Sequence, residues 1–261
     1  MKTLQPQPYP ILEYDPTSDP IVCPSAYNKL LEPRRFIKRA IITYFTDVVD
    51  MLERGQRLNQ VFRLRMEGYR PRVYEKKVGS EYIYVIPAPL GAPQAARLLE
   101  CLADIGVKKF MICGGAGTFC PEFTEEHVLV PTSAVRDEGT SYHYLPPSRE
   151  VKMHAPVREI IIETLKEEKI EFREVKTWTT DAIFRETAAK VEMRKAEGCH
   201  VVEMECSAYL AVAEHKKFKC GQLLYAGDVV ATSGWDYRDW HTRTECRARL
   251  FDAAEKCLLK L

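Results

Sequence analysis

The sequence predicts an α/β fold, a single domain with a central mixed, largely parallel sheet flanked by helices. Three observations carry this expectation. Short apolar runs of strand character alternate with stretches of helical spacing from about residue 40 onward. Two of the strand runs, 109–113 and 222–226, read as buried strands. No linker or internal repeat divides the chain, and one domain can fold its 261 residues around a large core.

Residues 1–38 read as an N-terminal arm, and residues 39–261 as the domain. Pro6, Pro8, Pro10, Pro16 and Pro20 oppose a regular helix in the arm, which is expected to pack on the surface or on a neighbouring subunit. Residues 40–45 are a β-rich run, and helical character follows over 48–52, giving strand, tight turn, helix. Strands are expected over 73–78 and 82–86, around a turn at Gly79 and Ser80. A proline-rich loop over 87–93 leads to a helix over about 94–105. The strand 109–113 gives way to a glycine loop, Gly114, Gly115, Ala116 and Gly117. Short strands fall at 128–131 and 133–135, and turn residues dominate 137–154. A helix over 155–168 places Val157, Ile160, Ile161 and Leu165 at helical spacing. A strand over 174–179, a helix over 187–197 and a strand over 201–205 follow, the last running into a helix over 207–215. The strand 222–226 ends at Gly227 and Asp228. A Trp-rich segment precedes a terminal helix over 243–259.

Composition removes several classes of function. Lys and Arg number 38 against 37 Asp and Glu, a net charge of +1, without the basic footprint of a nucleic-acid binder. Apolar residues make up 46%, which argues against disorder. No apolar run approaches the ~18 residues of a membrane span, and the start of the chain lacks a stretch of signal-peptide type. No nucleic acid and no membrane is therefore expected as a partner. The 9 cysteines are scattered with no CxxC pair, which points to a reducing, cytoplasmic compartment. The 6 histidines form no metal-ligand spacing, so neither a metal nor another cofactor is expected.

In largely parallel sheets, ligands sit beyond the carboxyl ends of the strands. That directs attention to Asp47, Gly91, the Gly114–Gly117 run, Asp181, Glu205 and Asp228. The glycines let a ligand approach the backbone closely, or they simply make a tight turn. Strand alternation sends Glu203 and Glu205 to one face and Met204 to the other. A carboxylate there can accept hydrogen bonds from both hydroxyls of a vicinal diol, unless both acids are solvated in salt bridges. Asp228, at the end of a buried strand, has the setting of a proton donor, or else of a helix cap. Asp181 reads as a ligand or a local cap.

These pieces, in this order, resemble the nucleoside phosphorylase/nucleosidase superfamily, which holds uridine phosphorylase, hexameric purine nucleoside phosphorylase and methylthioadenosine nucleosidase. The resemblance rests on Gly91-Ala92-Pro93, Cys113 to Gly117, Val128 to Pro131, Arg136 to Ser141, Thr180-Asp181-Ala182, Val202 to Ala208 and Gly227-Asp228, and it spans roughly residues 40 to 260. It implies cleavage of a ribosyl N-glycosidic bond through an oxocarbenium-like transition state. The first expectation is phosphorolysis to free base and ribose 1-phosphate, with phosphate as co-substrate and purine favoured over pyrimidine. The alternatives are hydrolysis by a nucleosidase and an inactive nucleoside-binding sensor; a transferase using Cys113 or Cys206 is a further reading. By match, Glu205 binds the ribose diol, Met204 packs on the sugar, Asp228 protonates or hydrogen-bonds purine N7, and Ile183 or Phe184 stacks on the base. A homo-oligomer, dimer or hexamer, is implied. The chain departs from the uridine type at Ile112, where that type carries a phosphate-binding arginine, and at Thr43 to Thr46, where a glycine-and-arginine loop is expected. Phosphate would then rely on Gly91 with Arg70, Arg72 or Arg185. If water is the nucleophile, Asp47 is a candidate to position it. The Trp235 to Trp240 segment is either a flap over the base or an anchor for the last helix.

Overall fold

The computed structural model describes residues 4–17, 20–29, 35–66, 68–124 and 127–261. Residues 1–3, the start of the chain where a signal peptide would lie, and parts of the arm fall outside them. In chain order the elements are α1 (Pro24–Asn28), β1 (Arg39–Thr43), α2 (Thr46–Arg54), β2 (Asn59–Arg63), β3 (Arg72–Val78), β4 (Glu81–Pro87), α3 (Ala92–Asp104), β5 (Lys109–Thr118) and β6 (Val128–Asp137). Then follow β7 (Glu150–Lys152), α4 (Ala155–Glu167), β8 (Phe172–Thr180), α5 (Ala188–Ala196), β9 (Val201–Glu203), α6 (Cys206–Lys216), β10 (Lys219–Ala231), β11 (Gly234–Asp236) and α7 (Thr244–Lys260).

Among the described residues all strands join one mixed sheet, in the order β11-β10-β6-β8-β9-β5-β1-β4-β3-β2, with β7 on β6. β1 runs parallel to both β4 and β5. Because β10 also pairs with β5, the strands β5, β9, β8, β6 and β10 close on themselves. Alternation along the central strands sorts the core into layers. Ile41, Val85, Met111 and Leu223 face Val157, Ile161, Leu250 and Phe251 of α4 and α7. Ala40, Ile42, Tyr84, Ile86 and Ile112 face Leu98, Leu99 and Leu102 of α3 and Tyr209 and Val212 of α6. The arm contributes α1, whose Asn28 Nδ2 donates to Cys101 O and Asp104 Oδ2, both at 2.8 Å, so this part docks on α3 of its own chain.

Close packing makes Gly221 on β10 sensitive. A Cβ there would collide with Ile161 Cδ1 and lie 2.9 Å from Met111 Sδ. Gly221→Ala is expected to cost about 1–3 kcal/mol, read as a lower midpoint in thermal or urea unfolding.

The sheet differs from the sequence reading in four ways. The glycine run is part of β5, paired to β10 through Thr118, and is not a loop. The two strand signals around residue 132 are one strand, β6. β10 continues through Asp228 to Ala231. The strands β2, β7 and β11 arise in segments without an apolar run; their edge pairing to β3, β6 and β10 makes them strands.

Candidate active site

β9 ends at Glu203, and the reason is visible in its hydrogen bonds. Glu203 is buried and its Oε1 accepts from Thr177 Oγ1 (3.2 Å) and Thr179 Oγ1 (2.6 Å). Its Oε2 accepts from the backbone N of Glu205 (2.8 Å) and Cys206 (2.6 Å), the first amides of α6. This corrects the expectation that Glu203 and Glu205 share a ligand-facing side. Both oxygens of Glu203 are engaged internally, and its role is to template the turn that presents Glu205.

Glu205 stands at the N-cap of α6. Its Oε1 accepts from Gly91 N at 2.5 Å, and the Tyr44 hydroxyl hydrogen-bonds the same carboxyl. Gly91 has φ 91°, a left-handed conformation suited to glycine, which aims its N–H from the start of α3 toward Glu205. Burial and the neighbouring Glu203 push the Glu205 pKa up to about 8. Met204 is half-buried beside it. The Tyr44 hydroxyl is 3.1 Å from that of Tyr209, and burial with nearby Glu205 keeps both phenols protonated.

The floor between the two candidate acids is β5. Gly115 is exposed, with the Tyr225 ring beneath it, whereas the Ala116 side chain is buried with Leu129 and Leu224. Ala116 thus offers the site only its backbone. Gly117 has no room for a Cβ, which would meet Val230 Cγ2 at 2.8 Å and Asp228 Oδ2 at 3.5 Å. A register shift between Ala226 and Asp228 re-aims β10 there and sets Asp228 opposite Gly117.

Asp228 Oδ2 accepts from Trp235 Nε1 at 2.5 Å. Burial raises the Asp228 pKa, against the pull of Trp235 and Arg238. Glu186, absent from the sequence-level candidates, is half-buried, and burial together with Asp228 pushes it up to about 7. Ile183 and Phe184 sit just before it and are exposed, Phe184 at 96%. The Trp-rich segment divides between its two readings. Trp235 reaches Asp228, while the Trp240 carbonyl accepts from Tyr225 Oη and Arg247 Nη2 and anchors the chain before α7.

The remaining candidates are more dispersed. Asp181 is exposed and its Oδ2 accepts from Gly139 N at 2.9 Å, tying two loops together. Arg185 is exposed. Arg70 and Arg72 line a cleft of about 240 Å³ with Arg63, Thr46, Tyr69 and Pro87, beside the end of β4. Arg72 is engaged by Glu53 at 3.2 Å. Asp47 is not placed to orient water: Arg247 lies 3.2 Å from it and Thr244 Oγ1 donates to it at 2.7 Å, which joins α2 to α7. Cys113 and Cys206 are fully buried and their thiols are pushed up, Cys113 to about 12, which removes the thiolate a cysteine-based transferase needs. Among the described residues no three His, Cys, Asp or Glu side chains converge as a metal site. No helix there is long and apolar enough to cross a membrane.

The raised acids have a consequence for stability. The folded protein keeps protons that an unfolded chain releases above pH 4.5. The stability they permit is whole below pH 4.5 and is lost as pH rises through about 7 for Glu186 and about 8 for Glu205. Glu186→Gln is therefore expected to melt with the wild type near pH 4.5 and above it at pH 8. Thermal melts across pH check this.

An α/β sheet with glycine-lined strand ends between a buried acid, Glu205, and a half-buried one, Asp228, defines a small-molecule site of enzyme type. The family model for the phosphorylase superfamily matches residues 45–258, and the chain belongs to that family. A protein of Acanthamoeba polyphaga mimivirus is 26% identical over 172 residues, 66% of this chain and 67% of the relative. Guanosine phosphorylase of Halorubrum lacusprofundi is 24% identical, over 54% of this chain and 59% of the relative. Uridine phosphorylase of Haemophilus influenzae is 33% identical, over 26% of this chain and 27% of the relative. The chain thus spans less than two thirds of the length of both phosphorylases. Purine nucleoside phosphorylase of Toxoplasma gondii, solved with immucillin-H, superposes with a TM-score of 0.69 at 21% identity, covering 85% of this chain and 91% of that one. Uridine phosphorylase of Vibrio fischeri gives 0.71 at 18% identity, covering 87% and 94%. These two show a common fold.

Proposed function

We propose that this protein cleaves the N-glycosidic bond of a ribonucleoside, with a purine favoured as the leaving base. One observation carries the reading: Glu205 and Asp228 lie along one glycine-lined strand, β5, whose Gly114 to Gly117 stretch is about 10 Å long at ~3.3 Å per residue. That span suits a nucleoside held by its diol at one acid and by its base at the other. Glu205, fixed by Gly91 and Tyr44, accepts from the ribose O2′ and O3′ hydroxyls, and Met204 packs on the sugar. Asp228 carries the raised pKa of a general acid and donates to N7, so the base leaves neutral. Phe184 and Ile183, exposed at the mouth, cover the base. The uridine and guanosine phosphorylase relatives support a nucleoside as substrate. They also support phosphate as the acceptor, with Arg70 and Arg72 of the cleft as its cations. Exposed Leu90, Ile183 and Phe184 around the mouth fit a homo-oligomer in which a neighbour covers them.

The test is incubation of the purified protein with a nucleoside panel, followed by quantification of free base. Release from inosine or guanosine faster than from uridine is expected. Binding without release would make the protein a sensor.

A further inference from the structure

We propose that Trp235 is a positioning residue for Asp228: its indole N–H holds Oδ2, so that Oδ1 is the oxygen that carries the proton to the leaving base. This rests on the nucleoside-cleaving reading above.

The contact is built by a hairpin. β10 runs on past Asp228 and turns back as β11, with Val229 paired to Asp236, Val230 to Trp235 and Ala231 to Gly234. Alternation puts Val230, and Trp235 opposite it, on the same face as Asp228. Trp235 is thus a diagonal neighbour of Asp228, a spacing that a long aromatic side chain can bridge, and its Nε1 donates to Asp228 Oδ2 at 2.5 Å. The chain after β11 is tied down as well. Arg238 Nη1 and Nη2 donate to Phe123 O at 2.6 Å and Pro121 O at 2.7 Å, in the segment between β5 and β6. The Tyr237 ring stands edge-on to Trp235 and to Trp240, at centroid distances of 5.2 and 5.9 Å. Trp235 is nevertheless 63% exposed, so burial of its ring does not account for its place beside Asp228.

The chemistry of the pair is one-directional. An indole nitrogen only donates, so Oδ2 accepts whether Asp228 is ionised or protonated. In a carboxylic acid the carbonyl oxygen is the better acceptor. The indole at Oδ2 therefore places the acid proton on Oδ1 and keeps the carboxyl from turning over. It also bonds the carboxylate more strongly than the acid, which opposes the upward pull of burial on Asp228. Of the charged groups facing Asp228, Arg238 acts in the same direction as the indole, and Asp236 and Glu186 act against it.

The first measurement needs no substrate. The chain has 3 tryptophans, so ¹⁵N–¹H NMR of the full-length protein resolves their indole N–H signals, and Trp235→Phe identifies one of them. That signal should shift with pH as Asp228 titrates, in wild type and in Glu186→Gln, and lose that step in Asp228→Asn. A signal that does not follow Asp228 would overturn the proposal.

The second measurement uses inosine or guanosine. Trp235→Phe keeps a ring and removes the N–H. Its kcat should fall about ten-fold at low pH, the usual worth of one hydrogen bond, with KM within about two-fold of wild type. The descending limb of its kcat–pH profile should move up by about one unit, because the ionised carboxylate has lost a donor. A nitrophenyl riboside, whose leaving group needs no proton, should lose less than about two-fold. A wild-type kcat and pH profile in Trp235→Phe would overturn the proposal and leave the nucleoside-cleaving reading standing. Equal loss on the nitrophenyl riboside would overturn it too, since Trp235 would then support the fold alone. No release of base from any nucleoside by the wild type would sink the underlying reading and the proposal with it, even with the indole signal titrating as expected.

Discussion

Glu205→Ala is expected to lower kcat/KM for ribonucleosides on the order of 10²–10⁴-fold. The estimate takes two hydrogen bonds at about 1.5–3 kcal/mol each to the carboxylate, the charged form that two diol hydroxyls favour over the protonated form the free protein holds below about pH 8. The carboxyl is buried and held by Gly91 N and Tyr44 before substrate arrives, so its orientation is set in advance. Removing it also leaves the Gly91 amide without its acceptor. Glu205→Gln, which keeps the shape, separates loss of charge from loss of fold, and thermal melts of both variants report on folding. A 2′,3′-dideoxynucleoside, which lacks both hydroxyls, should be a poor substrate for wild type and little affected by the substitution. Activity of Glu205→Ala within a few fold of wild type on ribonucleosides would place the diol elsewhere.

Asp228→Asn should reduce kcat for purine nucleosides by about 10²–10⁴-fold, the usual worth of a general acid, with a much smaller change in KM. That split marks an interaction made chiefly in the transition state. A riboside with a nitrophenolate leaving group, which departs without a proton, should lose far less. The pH profile provides a second reading. Asp228 donates only when protonated, and burial lifts its pKa, so activity should be held at low pH and fall as pH rises through that raised value. The groups facing it are Trp235 and Arg238, which lower the pKa, and Asp236 and Glu186, whose charges oppose ionisation. In Asp228→Asn this limb of the profile should disappear. An equal loss on purine, pyrimidine and nitrophenyl ribosides would count against protonation of N7.

Much of this site was legible before any coordinates. Glu205 and Asp228 are acids set next to apolar strand runs, and such residues are costly to bury unless used. The glycine run announced a close approach to the backbone, and Gly117 indeed has no space for a side chain beside Asp228. The reading of Glu203 failed for a specific reason. Alternation assumes that the strand continues, but β9 stops because the Glu203 carboxylate caps the amides of Glu205 and Cys206. Asp47 failed similarly, since its partners Arg247 and Thr244 lie some 200 positions away in sequence. Glu186 and Tyr44 carried no motif. Their importance comes from Asp228 and from Gly114 with Glu205, neighbours brought by other strands.

By itself, the sequence determined the layered α/β architecture, because the periodicity of apolar residues is local and sets which faces must be covered. It also marked the two acids and the glycine run, which it read as a loop and which pairing to β10 makes part of β5. Only the tertiary structure decided that the strands close through β10 and β5, that Glu203 supports where Glu205 presents, and that Tyr44 fills the space over Gly114. Those outcomes depend on long-range pairing and on which side chain reaches a vacancy first in a close-packed interior. No local pattern encodes them.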